Sequence, residues 1–195
     1  MLFRSGLQFA GAEESGAALA VWRQIATQPS QAAWGGEASV GLSLKDLPSA
    51  DQLAGQLRDC GERVLAERLR RRICLRRSIG DGPSFRLPYF VWRLGDAVLV
   101  GVPAEAHSPL QVELRRRFPR QAIVVMNIVN GYYSYLPPAD DYTTGSYQVE
   151  VSLFRAGCLE RLIEACAQAV QRITDATAAV PLQADSVGLA VGPPP

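Results

Sequence analysis

Histidine is almost missing from this 195-residue chain: His107 is the only one. Histidine is the usual general base near neutral pH and the usual zinc ligand. A catalytic triad, a histidine-rich metal site or a histidine pair is therefore excluded from this chain alone unless carboxylates and tyrosines do that work. The cysteines are few and badly spaced for staples or thiolate zinc. There are four, Cys60, Cys74, Cys158 and Cys166, and no Cys-x-x-Cys pair. Cys158 and Cys166 fall on one expected helix with about 12 Å of rise between them, too far to bridge. Joining Cys60 to Cys74 would fold the end of a helix back on itself, so all four read as small buried hydrophobes. No apolar run approaches the roughly 20 residues that span a bilayer. The segment Met1–Ala10 is too short in apolar residues for a signal peptide, so the chain as given carries no export address. Charge of one sign is absent as well: 20 basic against 19 acidic residues leaves +1. That balance argues against nucleic acid as a partner of the whole molecule.

The residues present suit one domain whose core needs no staples, since 48% are hydrophobic and 20% charged. Residues 12–28 begin acidic and place Leu19, Trp22 and Ile25 at helical spacing. A break over Pro29–Gly36 precedes a short strand, Ala38–Leu44, with Val40, Leu42 and Leu44 on one face. Pro48-Ser49 opens a helix of about twenty residues running through Leu53, Leu57, Val64, Leu65 and Leu69. Gly80–Pro83 breaks the chain, and residues 85–93 and 97–102 then form a hairpin around Gly95-Asp96. A helix is expected over 108–118, and Gln121–Val129 reads as a strand covered on both faces. A last helix spans 157–173, and residues 175–195 lose periodicity and read as a disordered tail. Trp22, Trp34 and Trp92 are expected to be core or half-buried. The order implies an α/β (α+β) domain, a mixed sheet with flanking helices.

Chemistry concentrates in Gly131–Tyr147, which packs five tyrosines into seventeen positions directly after a strand and contains Pro137-Pro138. A polar aromatic loop that is neither helical nor alternating is either pinned by its own packing or is a site. Tyrosine brings an apolar body, a hydroxyl and, beside a metal, a phenolate. Glu105 stands just past strand 97–102, and Tyr135 just past the following strand. If those strands are parallel neighbours, both side chains leave the same sheet edge, where a carboxylate and a phenol would bind metal or handle protons. The plainer alternative is that Glu105 caps the helix beginning near Ser108.

Three motifs in order carry a resemblance: Trp92–Glu105, Asn130-Gly-Tyr-Tyr-Ser-Tyr135, and Asp140-Asp-Tyr-Thr-Thr-Gly-Ser-Tyr147. Together they resemble the C-terminal part of the neutral, non-lysosomal ceramidase-like catalytic domain, and most closely its shorter bacterial relatives. The likeness is strongest over 85–173 and implies that residues 1–174 are part of that domain. Members are zinc (Zn) amidohydrolases that cleave the N-acyl bond of ceramide, with metal held by two histidines, a glutamate and a tyrosine. By resemblance Glu105 and Tyr135 are the metal ligands found here. Tyr147, twelve positions after Tyr135, is the catalytic residue that hydrogen-bonds the substrate amide oxygen. Asn130, His107 and Tyr142 would support them from behind.

The departures carry equal weight. Nothing here corresponds to the two histidine ligands or to the family's Gly-Asp-x-Ser-Pro-Asn-type segment, and Ala106-His107-Ser108 differs from the ceramidases proper. The resemblance therefore implies the C-terminal fragment of an N-acyl amide hydrolase acting on an N-acylated lipid-like substrate. It would be inactive alone, because the N-terminal half of the domain is missing. Two arginine clusters remain, Arg70, Arg71, Arg72, Arg76 and Arg77, and Arg115, Arg116, Arg117 and Arg120. They read as solvated helix ends, with a non-catalytic polyanion- or lipid-surface-binding module, touching membranes peripherally, as the alternative. A purely structural α/β domain is the third reading.

Overall fold

The computed structural model describes residues 33–175 without interruption, together with six helical positions within 16–24. The chain divides into two units, Met1–Ser30 and Gln31–Pro195. In the first, Gly16, Ala17, Leu19, Ala20, Arg23 and Gln24 are helical, as expected for that stretch. The other residues of the expected helix, with Trp22 and Ile25, and the expected tail beyond Asp175 lie outside the described residues.

The second unit is an open four-stranded mixed sheet with flanking helices. Its strands are β1 (Ala33–Ser43), β2 (Ser84–Leu94), β3 (Ala97–Val102) and β5 (Ala122–Asn127), in the order β1-β2-β3-β5. A separate two-stranded ladder joins β4 (Glu105–Ala106) to β6 (Tyr135–Leu136). β1, β2 and β3 pair antiparallel, and β3 and β5 pair parallel. The β2–β3 hairpin closes on two residues, with Gly95 at φ 62° in the first central position, a backbone region that other side chains enter only with strain. A parallel neighbour requires a crossover. Helix α3 (Pro109–Arg117) supplies it between β3 and β5.

Alternation along the strands decides what is buried. Leu87, Tyr89 and Val91 of β2, Val98, Val100 and Val102 of β3, and Ile123 of β5 all face one side. Helix α5 (Cys158–Asp175) covers that side with Leu159, Leu162, Cys166 and Val170 at helical spacing. Phe154, the largest fully buried side chain, sits in the same core. On the other side Trp92 lies flat over the sheet and stacks on Phe90 at 5.6 Å. A Cβ on Gly35 or Gly101 would fall 2.7 or 2.8 Å from that indole, so a side chain at either position would force the ring to shift.

Several local expectations need correction. The stretch read as one long helix is two: α1 (Ala50–Arg58), opened by a Ser49–Gln52 capping box, and α2 (Arg63–Ile79). Asp59 and Gly61 are poor helix formers, and turning there lets Leu53 meet Leu69 and Ile73 in a small core of their own. Val64 and Leu65, assigned to the apolar face, are exposed. β5 is covered on one face rather than two: Ile123 is buried, whereas Val124, on the opposite face, is exposed. β1 begins at Ala33, inside the expected break, since Ala33–Gly36 pairs with Val91–Leu94. Trp34 is exposed, Cys74 is exposed and Cys60 half-buried, while Cys158 and Cys166 are buried; all four thiols are free. Phe154→Ala should cost about 3–5 kcal/mol of unfolding free energy. Denaturant titration should show it as a lower midpoint with an unchanged slope.

Candidate functional site

The site is built where the chain leaves β3 and β5. Beyond Val102 the two segments stay zipped together by backbone hydrogen bonds. Val129 N–H donates to Val102 at 3.0 Å, Tyr133 N–H to Pro103 at 2.8 Å, Glu105 N–H to Ser134 at 3.0 Å, and His107 N–H to Leu136 at 3.1 Å. The β4–β6 ladder is therefore parallel, with Glu105 opposite Tyr135. Side chains opposite each other on a ladder leave on the same face. The two groups that sequence reasoning placed at one edge do stand side by side, and Glu105 belongs to this ladder. Ser108 heads α3 without a side-chain cap of any kind, so nothing supports the capping alternative.

Contrary to its reading as irregular, the tyrosine segment contains β6, a 3-10 turn (Ala139–Thr143) and a short helix, α4 (Tyr147–Val151). Ser146 caps α4 through the Val149 N–H and so positions Tyr147 as its first residue. The Tyr147 ring meets Tyr135 edge-on with centroids 6.1 Å apart, and Tyr147 remains 64% exposed. Tyr132 also reaches the group; sequence reasoning missed it, although its three-residue spacing from Tyr135 was visible. Burial and a hydrogen bond to Glu105 push its phenol up to about 12. The Tyr135 phenol is raised chiefly by its hydrogen bond to Glu105. Both phenols are thus held in the protonated form beside Glu105.

The other two tyrosines serve packing. Tyr133 lies 4.8 Å from Phe85. The Tyr142 hydroxyl donates to the Phe154 carbonyl at 2.8 Å, with the Lys45 ammonium 5.7 Å over its ring. Two buried serines, also missed from sequence, tie the segment down. Ser134 Oγ donates to the Val151 carbonyl and Ser152 Oγ to the Tyr135 carbonyl, each at 2.9 Å. The His107 imidazole pairs with Asp141, Nδ1 to Oδ2 at 3.5 Å. Asn130 is exposed at φ 57° and makes no side-chain hydrogen bond among the described residues. Asn127 instead joins β5 to β4 through Nδ2 to the Ala106 carbonyl at 3.0 Å. Positive φ at Ile128, Asn130 and Ser134 concentrates backbone strain in this crossing, and for β-branched Ile128 the strain is substantial.

Glu105 and Tyr135 offer a carboxylate oxygen and a phenol, half of a tetrahedral zinc donor set. Among the described residues no group of three or more His, Cys, Asp or Glu side chains is placed to hold a metal ion. With Glu105 as its neighbour Tyr135 is held in the protonated form; a cation bound by Glu105 would invert that preference.

No family model matches the sequence, and no curated protein matches it. Among solved structures, neutral ceramidase from Pseudomonas aeruginosa is similar over 53% of this chain and 17% of its own, at 21% identity and TM-score 0.40. A ceramidase complexed with C2 is similar over 46% of this chain and 15% of its own, at 22% identity and TM-score 0.38. This chain therefore spans only a small part of the length of either structure.

Phenolate absorbance followed through an alkaline titration reads this cluster directly. Replacing Glu105 with Gln should lower the Tyr135 pKa more than that of Tyr132, because burial is the larger cause for Tyr132. The Tyr132→Phe variant should lose the component titrating at about 12. Because its folded pKa is raised, Tyr132 adds a stabilisation complete below the ordinary value of 10.0 and lost as pH rises through about 12; Tyr135, raised as well, acts with the same sign.

Proposed function

We propose that this chain contributes half of the metal site and the oxyanion donor of an N-acyl amide hydrolase of the ceramidase-like kind. The observation that carries the reading is the parallel β4–β6 pairing, which sets Glu105 beside Tyr135 with Tyr147 edge-on to Tyr135. The three motifs that resemble the ceramidase-like domain end on these same three residues. Glu105 and Tyr135 would hold zinc, and two further donors would come from polypeptide outside the described residues. Zinc, when bound, supplies a Lewis acid and an activated water.

The remaining chemistry belongs to the chain. The Glu105 carboxylate fixes charge at the sheet edge, and its backbone N–H bond to Ser134 orients it. Ser152 holds the Tyr135 carbonyl and so sets the direction of that phenol. Tyr147, exposed at the start of a capped helix, has a hydroxyl free to donate to the amide oxygen as negative charge develops there. A loop used only for packing would bury this ring, as it buries much of Tyr142. The substrate implied is an amide with an apolar acyl chain, an N-acylated lipid.

Calorimetric zinc titration tests the metal half. The chain alone should bind zinc weakly, the Glu105→Gln and Tyr135→Phe variants should lose that binding, and Tyr147→Phe should keep it. Tight stoichiometric zinc that survives both ligand substitutions would remove the assignment. No turnover of a fluorogenic N-acyl amide is expected from the chain alone. In a longer polypeptide that completes the donor set, Tyr147→Phe should lower kcat by about 10²–10³.

A further inference from the structure

Helix α2 holds seven arginines and one glutamate in seventeen residues, although the whole chain carries only +1. Most of the second arginine cluster is consumed within the fold. Arg115 donates to the Ile123 carbonyl at 3.0 Å, Arg116 and Arg117 share Glu113, and Arg117 also reaches Glu164 at 2.7 Å. On α2 the pairing is sparse. Arg70 and Arg71 share Glu67, while Arg63, Arg68, Arg72 and Arg77 are exposed with no acidic partner among the described residues. Their charge is open to an outside anion.

Steps of four along a helix place residues in one row. Val64, Arg68, Arg72 and Arg76 form such a row, and Val64 and Leu65, 56% and 45% exposed, mark its N-terminal end. At the other end the row enters a half-open cleft walled by Leu47, Leu53, Leu75 and Leu153, with Arg72 and Arg76 among its lining. Arg76 is only 5% exposed, and its Nε and Nη1 have no hydrogen-bond acceptor among the described residues; Nε approaches Asp81 at 3.2 Å as an ion pair. A buried guanidinium left partly unsatisfied calls for an anion or water. The half-open cleft, about 20 Å³, has room for about one water-sized oxygen of an anionic group.

We propose that α2 and this cleft form a docking surface for an anionic lipid membrane. Arg68 and Arg72 meet headgroup charges, Val64 and Leu65 reach the acyl boundary, and a headgroup oxygen seats against Arg76. Nucleic acid is the weaker occupant, because neither α1 nor α2 carries an aromatic ring to stack on bases, and the row has apolar residues at one end. This surface stands independently of the site at Glu105.

Cosedimentation of the whole chain with phosphatidylserine/phosphatidylcholine vesicles, and with phosphatidylcholine alone, decides the matter. Binding should occur only with the anionic vesicles and fade with added salt. The doubly substituted R68Q/R72Q chain, altered at exposed unpaired positions, should bind about thirtyfold more weakly, at about fivefold per arginine. R116Q should bind like the unaltered chain. The proposal is overturned if anionic vesicles are not bound at low salt, if R68Q/R72Q binds unchanged, or if duplex DNA is taken up more tightly than the vesicles.

Discussion

Two backbone hydrogen bonds, from Glu105 to Ser134 and from His107 to Leu136, extend the parallel pairing of β3 and β5 past the end of the main sheet. The offset between the two segments shifts across the crossing, from Val102 opposite Asn127 to Glu105 opposite Tyr135, and every other candidate group is placed relative to that second pair. A slip of one residue would send one of the two side chains to the opposite face. The register is defended by the core beneath. Val102, Ala104 and Leu136 are fully buried, so moving either strand would expose apolar surface at about 25 cal/mol per Å².

Holding this register has a conformational cost, and the fold offsets it locally. Ile128, Asn130 and Ser134 adopt positive φ so that the chain can leave β5 and rejoin Pro103–Glu105. Each such residue costs on the order of 1–3 kcal/mol. The serine hydroxyls of Ser134 and Ser152, with Tyr142, bond carbonyls that would otherwise be orphaned in the buried crossing. The strained crossing and the phenol cluster occupy the same few residues, as expected where geometry is over-determined by surrounding bonds.

Electrostatically the molecule has two unlike faces. At the sheet edge burial and Glu105 together raise the Tyr132 phenol, and Glu105 chiefly raises that of Tyr135. Along α2 positive charge accumulates with only Glu67 and Asp81 among the described residues to absorb it. The contrast with Arg115–Arg117 shows why counting arginines misleads. There the same residue type is held by Glu113, Glu164 and a strand carbonyl, which lowers the field the cluster presents to solvent.

Local chemistry alone determined the mixed α/β class, the Gly95-Asp96 hairpin, the α5 face and the clustering of chemistry around Glu105 and the tyrosines. Each follows from periodicity or turn residues within a few positions. The break between α1 and α2 was less legible, because Leu53, Leu57 and Leu69 keep an apolar rhythm across it. Tertiary structure alone decided which tyrosines face Glu105 and which pack, that Tyr132 joins the group, that Val124 is left facing outward, and that Arg76 is buried while Arg72 is open. The reason is physical: these outcomes depend on strand register and on helix-to-sheet contacts between residues far apart in the chain. Side-chain type specifies what a group can do, whereas its partners exist only once distant segments have packed.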